Sequence, residues 1–250
     1  MDELPVFLYK YRNFEDPYMI NIIKNSSLYF SQVKNFNDPF DLRLDFKQSY
    51  SKKELLSYIK KFAKEHNIIN EEYVCAKAYW KNKEVFLKDQ NNIAKDQINK
   101  IGILSLSTDD KNILMWSHYA NNHTGLVFEF KAKESKSYFR IASPVKYQDN
   151  YNMLSYTSTG EKRSNELESL AMTKYIDWQY EQEYRILDLN SYGTRKFDKS
   201  DLTSIIFGLE ATNENIEEIK TLCAENGFEH VKFKQMKRVH GKFELKIVDL

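Results

Sequence analysis

No stretch of this sequence approaches the roughly 18 consecutive apolar residues that a membrane-spanning helix needs, so no span across a bilayer is expected. Cysteine is nearly absent: Cys75 and Cys223 are the only two. They form neither a disulfide framework nor a Cys-x-x-Cys metal knuckle, and both are expected as buried thiols. Seven glycines and four prolines in 250 residues leave no linker-like stretch and no internal repeat. Net charge is also small, +1, since 37 basic side chains face 36 acidic ones. An extended nucleic-acid clamp leaves a strongly basic footprint, so that class is disfavoured, although a local basic groove is compatible with the balance. The opening Met-Asp-Glu-Leu-Pro-Val is acidic first and leads into no long apolar run, so no signal peptide is expected, and a cytoplasmic location is the expectation.

Aromatic side chains are plentiful. Seventeen tyrosines and sixteen phenylalanines supply bulk to a chain that is 42% apolar, and a disordered protein would be depleted in both. A chain of this length buries about 70–75% of its unfolded surface, enough for a core without staples. The pattern predicts a single α+β domain over 1–250, with a mixed, mostly antiparallel sheet, surrounding helices and a helical insertion at 51–100. Strands are expected at Phe7–Arg12, Leu28–Ser31, Ile101–Thr108, Gly125–Phe130, Phe139–Tyr147, Tyr184–Leu187 and Leu202–Phe207. A closing hairpin around Gly241 is expected from His230–Gln235 and Phe243–Val248. Ser51-Lys52-Lys53-Glu54 is a capping box ahead of Leu55, Ile59 and Phe62 at helical spacing. Further helices are expected from near Asn70 (Tyr73, Ala76, Trp80), across Phe86–Ile101, after an Asp109 or Asp110 cap, around Leu167–Ala171, and through Ile216–Cys223 with an Asn226-Gly227 stop. The insertion is polar enough to predict a largely surface position.

Four polar clusters carry possible chemistry. Tyr9-Lys10-Tyr11-Arg12 is read with Lys10 and Arg12 on opposite faces of a strand, sending one cation into a cleft; solvated charges on an edge strand are the alternative. Phe36-Asn37-Asp38-Pro39-Phe40-Asp41 is turn chemistry, but its two carboxylates sit between two Phe rings, which suggests a rigid loop. In Leu114–Gly125, Met115, His118 and Tyr119 share a helical face and His123 follows; histidine titrates near neutral pH, but two histidines fall short of the three ligands of a catalytic zinc. Capping or core-polar roles are the alternative for each. In Asp177–Arg185, Glu181, Glu183 and Arg185 alternate with period two, which on a strand puts all three on one face. Two carboxylates about 7 Å apart on that face would raise one pKa while Arg185 opposes the effect. A solvent-facing charge ladder is the alternative.

Taken together, these segments resemble the bacterial family known as domain of unknown function 2971. The resemblance lies in Leu8–Arg12, Leu28–Ser31 with Phe36–Asp41, Ser105-Leu106-Ser107, Leu114–Ala120 with His123 and Gly125, and Lys174 with Trp178, Tyr180-Glu181, Glu183 and Arg185. It covers residues 7–210 apart from the insertion and implies little about function. In site order the chain is also similar to Arg-Ser-Glu type mono-ADP-ribosyltransferases. That similarity implies Arg12, with Tyr11, at the phosphates of NAD, and Ser105 and Ser107 bracing the nicotinamide half. Glu183 would hold the ribose hydroxyl and stabilise an oxocarbenium-like state, and Glu181 would orient the nucleophile. The middle strand departs from that motif in reading Ser-Leu-Ser-Thr, and the Asn-Asp-Pro loop and Trp-Ser-His-Tyr helix have no place in it.

The leading expectation is therefore an enzyme acting on a nucleotide such as NAD, by transfer or hydrolysis. Glu183, Glu181, Arg185 and His118 form its catalytic set, Arg12, Tyr11, Ser105 and Ser107 bind NAD, and Asn37, Asp38, Asp41, Trp116 and His123 bind substrate. One competing reading is a metal-assisted phosphodiesterase or nuclease with Asp38, Asp41, His118 and His123 as ligands. Another is a non-enzymatic ligand-sensing or interaction module of a phage-defence or toxin–antitoxin system, with an unknown protein partner.

Overall fold

A computed structural model of the chain describes residues 4–47, 50–65, 78 and 81–250. The helix expected near Asn70, with Tyr73, Ala76 and Trp80, and the thiol of Cys75 lie outside the described residues. No helix among those described is long and apolar enough to cross a membrane.

The strands are β1 (Phe7–Arg12), β2 (Ser27–Gln32), β3 (Gly102–Ser107), β4 (Leu126–Lys131), β5 (Ser143–Pro144), β6 (Lys146–Gln148), β7 (Thr173–Tyr175), β8 (Glu183–Asp188), β9 (Gly193–Lys196), β10 (Leu202–Phe207), β11 (Lys232–Arg238) and β12 (Leu245–Asp249). Ten of them form one sheet, ordered β12-β11-β10-β4-β1-β3-β2-β9, with β8 beside β3 and β5 beside β8. Within that sheet the described pairings are antiparallel except β10 with β11. The helix between those two, Asn213–Glu225, makes the crossover that a parallel pair requires. β6 and β7 form a separate parallel ribbon.

Helices α1 (Met19–Lys24), α2 (Lys52–Glu65), α3 (Lys83–Lys100), α4 (Ile113–Tyr119), α5 (Gly160–Ala171) and α6 (Asn213–Glu225) surround the sheet. Met19, Ile22 and Ile23 of α1 and Ile216, Ile219 and Cys223 of α6 bury against Leu8, Phe128, Phe130, Ile205 and Phe207. These strand residues recur every second position, so one sheet face takes both helices. Met115 and Trp116 of α4 pack with Tyr11, Val127, Ile206 and Met236, the intervening strand positions. The sheet is thus covered on both faces.

The capping box forms as expected: Ser51 N donates to Glu54 Oε2 (2.6 Å) and Glu54 N to Ser51 Oγ (3.2 Å). The described part of the insertion is largely exposed, as expected, and carries a small core of its own from Leu55, Tyr58, Ile59 and Phe86. Two other expectations change. The segment read as a strand from Phe139 to Tyr147 begins as a 3-10 turn, Tyr138–Ile141, followed by the short β5 and β6. Ser137 Oγ accepts from Phe139 N at 3.1 Å, and Phe139 stacks 4.3 Å from Phe130, so a local cap and an aromatic contact override the strand-like composition. The cap of α4 is Asn112, neither Asp109 nor Asp110. Asn112 Oδ1 accepts from Leu114 N (3.0 Å) and Met115 N (3.2 Å), whereas Asp109 Oδ1 bonds Lys111 N in the preceding turn.

Candidate functional site

The sheet forks at β3. Along one edge β3 pairs with β8 over its whole length, from Gly102↔Asp188 to Ser107↔Glu183. Along the other edge it pairs with β1 only at Tyr9↔Ser107 and with β2 only at Ser31↔Ile103 and Gln32↔Gly102. Between those contacts the edge is open, and the Ser105 carbonyl accepts from Lys10 Nζ at 2.7 Å in place of a neighbouring strand. A cleft of about 390 Å³ opens at this fork.

Ser31, Ser105, Arg12, Asn37, His118 and Tyr119 are among its lining residues, with Asp41, Lys174, Glu181, Glu183 and Arg185 below. The last five are each no more than 6% exposed. Arg185 donates through Nε to Glu183 Oε1 (2.7 Å) and through NH2 to Glu183 Oε2 (3.0 Å). Its NH1 and NH2 also reach Asp41 Oδ1 (2.9 Å) and Oδ2 (2.5 Å), and NH1 meets the Ala171 carbonyl at 2.6 Å. Phe36 lies under the guanidinium, its centroid 5.5 Å away. Lys174 Nζ donates to Glu181 and to Glu183 Oε2 (3.3 Å), and sits 5.0 Å from the Trp178 ring centroid. Charges buried in this way survive only when densely paired.

Glu181 and Glu183 are not two teeth of one strand. Glu181 ends a 3-10 turn, Ile176–Glu181, Gln182 takes a left-handed conformation (φ 44°), and only Glu183 begins β8. The period-two argument fails for Glu181, yet the reversal at Gln182 returns its carboxylate to the same ammonium. Nor is the segment a solvent-facing ladder. The two carboxyl groups differ in environment. Burial raises Glu183, but Arg185 and Lys174 overcome it and hold the group down to about 2. Ser105 adds a further hydrogen bond to it. Burial raises Glu181 and Lys174 only partly offsets this, with Glu183 pushing the same way as burial. Tyr119 Oη donates to Glu181 Oε1 at 2.5 Å and itself accepts from Asn37 Nδ2 at 3.2 Å. The Asn-Asp-Pro loop thereby orients the tyrosine that holds Glu181.

Lys10 and Arg12 are two residues apart on β1 and therefore share a face, which corrects the expectation of opposite faces. Both line the cleft. Burial, with Arg12 beside it, pushes the Lys10 amine down to about 7. Arg12 bonds Asp16 at 2.8 Å, and its buried Nε has no partner among the described residues.

The other expected site residues fall into two groups. Tyr11 and Ser107 border the cleft but spend their hydroxyls on the backbone, Tyr11 on Asp109 O (2.6 Å) and Ser107 on Glu181 O (2.7 Å). His118 reaches the rim, its Nδ1 3.0 Å from Tyr180 Oη. Asp38, Trp116 and His123 do not line the cleft. Asp38 Oδ1 accepts from Phe40 N at 2.8 Å, an ordinary Asx turn. Trp116 is fully buried, donates to Asp110 O at 2.7 Å and meets Tyr11 edge-on. His123 sits behind α4 with Nε2 3.2 Å from Ser117 Oγ. The four proposed metal ligands are thus split, with Asp41 and His118 at the cleft and Asp38 and His123 away from it. Among the described residues no group of three His, Cys, Asp or Glu side chains is arranged to hold a metal ion. Sequence reasoning did not select Lys10, Tyr119 or Lys174 as site residues. The available signals were the Met115–His118–Tyr119 helical face and the place of Lys174 in the family pattern.

Comparisons with curated proteins and with solved structures find no match. The similarity in site order to ADP-ribosyltransferases has no match behind it. Residues 115–186, which contain His118, Tyr119, Lys174, Glu181, Glu183 and Arg185, are similar to the family described as "Protein of unknown function (DUF2971)".

Proposed function

We propose that the cleft binds a phosphate-bearing nucleotide and acts at its glycosidic bond, with NAD as the named case and transfer or hydrolysis as the outcome. The observation that carries this reading is the pairing of Glu181 and Glu183 in one cleft with opposite shifts, one raised and one held near 2. Neighbouring carboxyl groups whose environments push their pKa values apart are the usual arrangement for acid and base work.

The roles differ from those that site order implied. A carboxylate offers about four acceptor positions. Glu183 fills its own with Arg185 Nε and NH2, Lys174 and Ser105, so it is a positioning residue that fixes Lys174. Among the described residues Glu181 receives Tyr119 and Lys174 alone and retains acceptor capacity. Glu181 is therefore the group that exchanges a proton or stabilises positive charge on a reacting sugar. Lys10 keeps spare donors beyond Ser105 O, and the unpartnered Arg12 Nε lies nearby, which suits a phosphate oxygen on the opposite wall.

Release of nicotinamide from NAD by the purified protein tests the reading. Glu181→Gln should slow release by about 100-fold or more, the size of a lost acid–base group, while the unfolding midpoint stays near that of the unaltered chain. Unchanged turnover in Glu181→Gln rejects its role. An unaltered protein that neither consumes nor binds NAD rejects the reading as a whole.

A further inference from the structure

Phe40, Tyr151 and Tyr175 are large aromatic side chains exposed to 53%, 42% and 44%, and all three border one pocket of about 240 Å³. That volume is below the usual range for a complete small-molecule site of about 300–1,000 Å³, and suits one ring of a larger ligand. Lys174 lines this pocket as well as the charged cleft, so the two cavities share a wall.

The geometry points to a subsite for the neutral base of a nucleotide, stacked on these aromatic rings, while the phosphate lies in the charged cleft. This deepens the reading given above and rests on it for the position of the phosphate. Two of the rings are set in advance. The Arg43 guanidinium carbon is 5.5 Å from the centroids of both Phe40 and Tyr151, and Tyr151 Oη donates to Asp45 Oδ2 at 2.6 Å. Rings held in this way lose little freedom when a base stacks on them. The neighbouring charges decide which ring is welcome. Arg43 is paired with Asp45, Lys174 with Glu181 and Glu183, and Lys174 and Asp149 border the pocket with opposite charges, so the surroundings carry no strong charge of one sign and suit an uncharged ring. Asp149 and Asn150 at the same pocket supply polar groups for the edge of a base.

Four probes divide the question: adenosine, ribose 5-phosphate, AMP and NAD, titrated against the full chain and against Phe40→Leu/Tyr151→Leu. Both substitutions fall on exposed positions, and a melting curve confirms that the variant folds. AMP should bind the unaltered protein at least about ten-fold tighter than ribose 5-phosphate, the value of stacking one base. The variant should lose that advantage, and adenosine binding with it, while keeping its affinity for ribose 5-phosphate. Adenosine that binds through Phe40 and Tyr151 while ribose 5-phosphate fails to bind supports the subsite and removes the phosphate assignment of the cleft. Adenosine that does not bind, or binds both proteins equally, overturns the subsite whatever ribose 5-phosphate does.

Discussion

Arg185 and Asp41 lie 144 positions apart and meet through two parallel hydrogen bonds of 2.9 and 2.5 Å, so a loop near the start of the chain is clamped to a strand in its last third. Arg185→Met removes the guanidinium and leaves Asp41 and Glu183 buried with fewer donors. A broken buried pair costs about 3–5 kcal/mol, and the variant should unfold in urea with a stability lowered by that amount. A loss within experimental error would show that the clamp does not hold the loop.

Glu183 makes the fold sensitive to acid. Its folded pKa of about 2 lies below the ordinary value of 4.5, so its stabilisation is fully present above about pH 4.5 and is lost as the pH falls toward 2. Glu183→Gln should be less stable near neutrality and should show a flatter decline across that window. Parallel pH profiles for the two proteins would contradict the assignment.

Lys10 works in the opposite direction. Its amine falls from the ordinary 10.5 to about 7, so the unfolded chain binds the extra proton between those values. The cost of burying Lys10 is then full below about pH 7 and shrinks as the pH rises toward 10.5. Lys10→Met should stabilise the protein most at neutral pH and progressively less at higher pH, measured as the difference between two denaturation curves. A difference independent of pH would place Lys10 in open solvent.

Gly125 determines how closely β1 approaches the turn after α4. A Cβ there would lie 2.3 Å from Arg12 O and 3.0 Å from Ala120 O, both backbone atoms that cannot step aside cheaply. Gly125→Ala should cost about 1–3 kcal/mol, the usual range for overpacking. It should also weaken binding of ribose 5-phosphate if Arg12 serves the cleft. An Ala variant with an unchanged melting midpoint would refute the close approach.

Short-range patterns were readable because short-range forces create them. The Ser51–Glu54 box, the six-residue β1 and the stop of α6 at Asn226-Gly227, where Gly227 takes φ 75°, depend on neighbours a few positions away. Reading failed where a distant partner intervened. Phe139 looked strand-like until Phe130 and Phe197 drew it into a 3-10 turn against the core. Trp116 and His123 looked like binding residues because polar and aromatic types were clustered, yet one entered the core under α4 and the other lay behind it. Lys174 carried no periodic signal, since a single lysine looks the same whether its ammonium meets water or two carboxylates.

By itself the sequence settled the mix of helices and strands and the segments that carry charge, because composition, periodicity and capping act within a few residues. Only the tertiary structure decided that β1 and β2 part along β3 and leave a gap. That gap brings Lys10, Arg12, Asp41, Lys174, Glu181, Glu183 and Arg185 to one cleft. Whether a charge is buried and paired depends on strands brought together from distant parts of the chain, and no local pattern encodes which edge of a strand will be left open.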